Sequence, residues 1–129
     1  MGSFSAMPDS LPLILLVDDE AAIRRIATRV LQRAGYRCTD AMDGQEGFRV
    51  WQEQRDTIAL IITDVRMPKA SGWDLVLAVR GTGSKCPFVV TSGFNATEVV
   101  PPGASEGVLV VSKPWEAAQL VAAVKQLLG

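Results

Sequence analysis

Residues 13–23 read LILLVDDEAAI: five apolar residues run straight into three acids, Asp18, Asp19 and Glu20, and a helical spacing of apolar residues follows. An unbroken apolar run of this length, closed by polar residues, reads as a strand buried on both faces. A single acid at such a junction is explained by the helix beyond it. Its oxygen accepts a free N–H of the first turn, and its charge complements the helix dipole. Three acids are more than a cap needs. Two carboxylates ~4 Å apart repel by about 4 kcal/mol at an effective dielectric near 20. Without a counter-charge one of them would hold on to a proton, so the junction points to a cation.

The same alternation continues along the chain. Ile23, Ile26, Ala27, Val30, Leu31 and Ala34 form one helical stripe, closed by Gly35 in the position that favours a left-handed cap. Arg37–Ala41 is a weaker strand, expected at an edge. Asp43 and Glu46 have capping-box spacing, and Phe48 and Trp51 supply the buried side of the helix that follows. Ile58–Thr63, IALIIT, is the most hydrophobic strand and ends at Asp64. Trp73–Arg80 reads as a third helix, ended by the breaker run GTGSKCP. Phe88–Thr91 and Val108–Val111 are further strands, and Leu120, Val121, Val124, Leu127 and Leu128 stripe a last helix. Between those two strands lies NATEVVPPGASEG, where Pro101-Pro102 leaves room for a loop or one helical turn. Strands that alternate with helices in this way predict a doubly wound α/β fold, a five-stranded parallel sheet covered on both faces. In open sheets of this kind the functional site lies beyond the carboxyl ends of the strands. Those ends carry Asp18-Asp19, Asp64, Ser92-Gly93 and Lys113.

Composition narrows the chemistry. The 129 residues suit one domain, with 48% hydrophobic and 21% charged residues. A net charge of −1 without a Lys/Arg cluster offers no footprint for direct nucleic-acid binding. No apolar run is long enough to span a membrane, and MGSFSAMPDS lacks the features of a signal peptide, so a cytoplasmic location is expected. Residues 1–11 read as a linker or expression remnant, and 12–129 as the domain. There is no histidine, which removes histidine triads, histidine-ligated zinc and a histidine general base.

Each candidate has an ordinary explanation when taken alone. Asp18-Asp19-Glu20 caps a helix, Asp64 opens a turn, Lys113 before Pro114 is a surface lysine, and Ser92-Gly93 is a turn. Together they are more specific. With the first and third strands adjacent, Asp18, Asp19 and Asp64 converge. Mg²⁺ suits such oxygen donors, because it is held by one or two carboxylates together with waters and phosphate. Lys113 adds a point charge able to pair a carboxylate or a phosphoryl oxygen, and Ser92 adds a hydroxyl. These parts support phosphoryl transfer with a carboxylate as nucleophile.

The stretches ILLVDDE, IITDVRMPKASGWDL, VVTSG and VVSKPW, taken in this order, resemble the receiver domain of two-component response regulators over about residues 12 to 129. The resemblance implies a flavodoxin-like sheet of order 2-1-3-4-5 with five helices, here with the fourth shortened by the Pro-Pro loop. It implies that Asp64 accepts a phosphoryl group from a phosphohistidine on a sensor histidine kinase or histidine phosphotransfer protein. Asp19, Asp64 and the backbone carbonyl of Arg66 would ligate Mg²⁺, with Asp18 beside the ion or reaching it through a water. Ser92 matches the hydroxyl residue that moves to bond the phosphoryl group, and Gly93 the small residue that leaves it room. Lys113 matches the lysine of the acidic pocket, followed by Pro114 in a peptide bond often found cis. Pro68 and Gly72 match the turn after the phosphoacceptor. The implied strand order also separates Cys38 from Cys86 by three strand spacings, about 14 Å, beyond the ~7 Å Cα separation a disulfide permits, so free thiols are expected.

Two places depart from the family pattern. Val110 stands where an aromatic switch residue is usual, and the shortened fourth helix alters the usual output face. The short helix and the turn Ser92-Gly93-Phe94 resemble receivers joined to hybrid sensor kinases. A stand-alone receiver and a segment of a longer protein both fit the sequence. Trp73 and Trp115 flank the site and read first as packing residues. The rival functions are a receiver-like interaction module without phosphotransfer and an aspartyl-phosphate phosphatase. The phosphatase is disfavoured because Asp64-Val65-Arg66 lacks the Asp-x-Asp spacing. A nucleotide binder is set aside because no Gly-rich loop follows the first strand.

Overall fold

The computed structural model describes residues 11–93 and 100–129. Its strands are β1 (Leu13–Val17), β2 (Arg37–Ala41), β3 (Ile58–Asp64), β4 (Phe88–Ser92) and β5 (Val108–Ser112). Its helices are α1 (Ala21–Arg33), α2 (Gly44–Glu53), α3 (Gly72–Gly81) and α4 (Ala117–Leu128). The strands form one sheet of order β2-β1-β3-β4-β5, and every pairing is parallel. The expected sheet is therefore found, with four helices among the described residues. Residues 1–10 and 94–99 lie outside the described residues, and with the latter the first part of the segment expected as a loop or helical turn and Phe94 of the turn Ser92-Gly93-Phe94.

Side chains along a strand alternate between faces, and the two cores follow from that. Leu13, Leu15, Val17, Ile61, Phe88 and Val90 face Trp51 of α2 and Leu75, Val76 and Val79 of α3. Ile14, Leu16, Leu60, Ile62 and Val89 face Ala27 and Leu31 of α1 and Leu120 and Val124 of α4. Ile58 and Leu60 are two apart and yet belong to opposite faces. The register explains this: Leu13 pairs with Ile58 but Ile14 pairs with Leu60, so Ala59 is an extra residue that flips the strand once. Beyond it the alternation runs uninterrupted to Asp64.

Several local expectations hold. Gly35 ends α1 with φ 98°, and the N–H groups of Gly35 and Tyr36 donate to the carbonyls of Gln32 and Leu31, the paired bonds of a Schellman cap. β2 is an edge strand with partly exposed residues. Cys38 and Cys86 are free thiols, and burial pushes each thiol pKa up to about 11.

Three expectations need correction. Ile26 is 50% exposed rather than buried, because it faces a groove between α1 and α4 with Val30, Ala34 and Ala117 instead of the sheet. Asp43 does cap α2, accepting from the Glu46 N–H at 2.8 Å, but the Glu46 carboxylate reaches past it to the N–H of Met42 at 2.7 Å. A reciprocal capping box is found instead at α3, between Ser71 and Asp74, and that helix starts one residue earlier, at Gly72.

Candidate functional site

The register brings the carboxyl ends of the central strands to one level. Val17 pairs with Thr63, so Asp18 leaves β1 beside the end of β3, where Asp64 is the last residue. Asp64 in turn pairs with Thr91, and Ser92 pairs with Ser112, which places Lys113 just past the end of β5. The Lys113 N–H donates to the Ser92 carbonyl at 2.7 Å, so the two strand ends are tied together. The Lys113–Pro114 peptide bond is cis, as the resemblance implied.

From there the lysine side chain crosses to the acids. Its Nζ donates to Asp18 Oδ2 at 3.1 Å and to Asp64 Oδ2 at 3.0 Å. Asp18 and Asp64 are 6% and 8% exposed, so both carboxylates have lost most of their water. Burial pushes the Asp64 carboxyl above its ordinary value; the Lys113 hydrogen bond and charge pull it down, and Asp18 pushes it up again. Burial also opposes the charge on Lys113, but the bonds and charges of Asp64 and Asp18 outweigh it and hold the ammonium pKa above its ordinary value. Lys113 is thus firmly cationic, and Asp64 is a carboxylate that its surroundings hold with reduced ease.

The acids after β1 have different environments. Asp18 Oδ1 accepts from the Glu20 N–H at 2.9 Å and its Oδ2 is taken by Lys113. Asp19 and Glu20 are exposed, and one carboxylate oxygen of each lies within 4.8 Å of one from Asp18. This all-oxygen donor set fits a hard divalent cation. Both Asp18 oxygens already carry hydrogen bonds, whereas the Asp19 side chain is exposed.

The remaining candidates are distributed around this centre. Ser92 is buried at the end of β4, and its Oγ makes a 3.3 Å bond to the Gly93 carbonyl. Gly93 is exposed, and a Cβ there would meet nothing within 4 Å among the described residues. Arg66 lies two residues past Asp64 and is exposed, as is Pro114. Trp73 is a core residue, as its ordinary reading held. Trp115 is half-buried and lines a cleft of ≈ 370 Å³ with Ile23, Ile26 and Pro114, bordered also by Glu20 and Lys113.

Glu20, the third acid of the run that closes the first strand, belongs to the acid cluster. One residue escaped the sequence reading. Arg24 donates through Nη1 to the Asp18 carbonyl at 2.6 Å, a side chain to main chain contact with no sequence signature.

Comparison with known proteins agrees with this geometry. A family model described as "Response regulator receiver domain" matches residues 14–125. The sensor kinase CckA of Brucella abortus is 32% identical over 118 residues, which are 89% of this chain and 12% of that protein. A receiver domain structure of the hybrid histidine kinase CckA has a TM-score of 0.76 and 34% identity, covering 91% of this chain and 99% of that one. A receiver domain protein from Clostridium thermocellum superposes with a TM-score of 0.84 at 27% identity, covering 92% of this chain and 94% of that one. Among the described residues no helix is long and apolar enough to cross a membrane.

Proposed function

Since this chain belongs to the response regulator receiver domain family of two-component signalling, we propose that Asp64 accepts a phosphoryl group from a phosphohistidine in a Mg²⁺-dependent reaction, and that the product switches the conformation of the domain. The observation that carries this reading is the single Lys113 ammonium shared by Asp18 and Asp64 at the ends of three strands. A structural ion pair needs one carboxylate. Here two are buried around one lysine with two further acids beside them, which leaves excess negative charge for a cation to offset.

In the reaction an Asp64 carboxylate oxygen attacks phosphorus in line with the departing nitrogen. The P–O bond forms as the P–N bond of the phosphohistidine breaks, and the released imidazole nitrogen takes a proton from water. Lys113 leaves the ground-state carboxylate to pair a phosphoryl oxygen, holding positive charge where negative charge gathers. Asp19, Asp64 and the Arg66 carbonyl would hold Mg²⁺, with Asp18 acting through a water; the ion supplies neutralisation of the phosphoryl oxygens. None of these steps requires a histidine in this chain. Gly93 leaves room for the added group, since among the described residues nothing lies within 4 Å of where its Cβ would stand. The long Ser92 Oγ bond to Gly93 is readily exchanged for one to the phosphoryl group, and that exchange would draw the β4 end inward as a shift of population. Water later attacks phosphorus and releases inorganic phosphate.

The partner is a sensor histidine kinase or a histidine phosphotransfer protein, a reading supported by the likeness to CckA. The test is transfer of label from a phosphorylated histidine donor protein. Label should move to this chain with Mg²⁺ present and not to Asp64→Asn. Donors that keep their label, while Mg²⁺ binds normally, would favour an interaction module that signals without phosphotransfer.

A further inference from the structure

We propose that Arg24 is a positioning residue for the acid pocket: by holding the Asp18 carbonyl it fixes the peptide that carries Asp19, and so aims the Asp19 carboxylate at the cation. This inference rests on the functional reading above only in requiring a cation at the acids.

Arg24 lies one turn into α1, on the helix that starts immediately after the acids. Its guanidinium is used in two directions. Nη1 donates to the Asp18 carbonyl at 2.6 Å, and Nε donates to Asp40 Oδ2 on β2 at 2.9 Å. The Asp18 main chain is held on its other side by its own N–H, which donates to the Ala41 carbonyl at 3.2 Å. Asp18 is therefore pinned to β2 twice, once directly and once through Arg24 and Asp40.

A peptide unit is planar, so the Asp18 carbonyl and the Asp19 N–H turn together. Rotation of that plane swings the Asp19 Cβ and redirects its carboxylate. Asp19 is exposed, in contrast to Asp18, whose two oxygens are both engaged. With the side chain open to water, the direction of Asp19 is set largely by the main chain before it. A flat, forked guanidinium suits this task, since it donates to two acceptors at a fixed angle, which a lysine ammonium does not reproduce. The bond to Asp40 orients the fork. Its exposure, 17% for the arginine and 56% for the aspartate side chain, makes it a weak contributor to stability by itself.

Charge alone predicts the opposite of positioning. Removing a cation near a metal site should tighten metal binding, whereas loss of an orienting contact should weaken it. The experiment is Mg²⁺ titration of the whole chain, followed by calorimetry, for wild type, Arg24→Met, Arg24→Lys and Asp40→Asn, with thermal melts in chelator to verify folding. Groups that orient metal ligands typically change affinity by about 10- to 100-fold when lost. Arg24→Met should weaken Mg²⁺ binding about tenfold. Arg24→Lys should weaken it although the charge is kept, and Asp40→Asn should act in the same direction by less. Mg²⁺ binding to Arg24→Met as tight as wild type, or tighter, overturns the proposal. Should Arg24→Met fail to fold, unchanged affinity in both Arg24→Lys and Asp40→Asn overturns it equally. A wild-type chain that binds no Mg²⁺ overturns it as well. Mg²⁺ binding with the expected order of variants, but no phosphoryl uptake, would sink the phosphotransfer reading and leave this one standing.

Discussion

The backbone of Gly72 lies against the carbonyl oxygen of Asp64: any Cβ at that glycine would collide with it, and the Gly72 N–H closes the turn by donating to the Val65 carbonyl at 2.9 Å. The turn after β3 is thus packed directly on the main chain of Asp64. Gly72→Ala should cost about 1–3 kcal/mol through overpacking and should slow phosphoryl uptake as well, because the strain is relieved by moving Asp64. Gly93→Ala makes the contrast. Among the described residues a Cβ there meets nothing, so its melting temperature should match wild type while phosphoryl uptake slows. Melts and uptake measured together on both variants check this, and unchanged uptake in Gly72→Ala would disconnect the turn from the site.

Lys113 holds two carboxylates that otherwise face each other. Lys113→Met should destabilise the domain in chelator by about 1–3 kcal/mol, less than for a fully enclosed pair because each group keeps an edge in water. Mg²⁺ should restore more stability to this variant than to wild type, since the ion takes over part of the lost positive charge. The sign with pH follows from the raised ammonium pKa. Stability from Lys113 is fully present below its unfolded value, near 10.5, and is lost as pH rises through the higher folded value. Denaturant midpoints with and without Mg²⁺, and along an alkaline pH series, test both statements.

Asp64 behaves in the opposite sense. Its folded-state pKa lies above 3.8, mainly through burial, so the folded protein holds that proton more tightly than the unfolded chain. The ionised carboxyl therefore lowers stability at neutral pH, and this penalty disappears as pH falls below the unfolded value. Asp64→Asn should melt higher than wild type at pH 7 without Mg²⁺, with the difference shrinking toward pH 4. Phosphoryl uptake should decline on acidification before pH reaches 3.8, because the attacking group must be ionised. A variant less stable than wild type at pH 7 would contradict the direction of the shift.

Among the described residues Trp115 is the aromatic that lines the cleft beside Lys113, whereas Trp51 and Trp73 are core residues. Addition of Mg²⁺ should change tryptophan emission in wild type and in Trp73→Phe. The change should vanish in Trp115→Phe. A signal retained in Trp115→Phe would place the reporter elsewhere.

Much of this site is legible in the amino-acid sequence, for a physical reason. Parallel strands buried on both faces appear as unbroken apolar runs, so LILLV and IALIIT announce where they stop, and Asp18 and Asp64 stand at those stops. The Ala59 bulge was not readable, because apolar residues on both faces conceal a change of face. Neither was the exposure of Ile26, since its helical spacing fits the buried stripe and only the placement of α4 leaves it on a groove. Arg24 was hidden for a different reason: its acceptor is a main-chain carbonyl, which has no residue type to recognise.

The most direct test of the central claim is intact mass after incubation with Mg²⁺ and a small-molecule phosphodonor, with Asp64→Asn alongside. The account predicts one added phosphoryl group in wild type, removed by hydroxylamine as an acyl phosphate should be, and no addition to Asp64→Asn. Equal addition to both proteins would move the phosphoryl group away from Asp64. No addition to a folded, Mg²⁺-bound wild type, from small donors or from a phosphohistidine protein, would contradict the account.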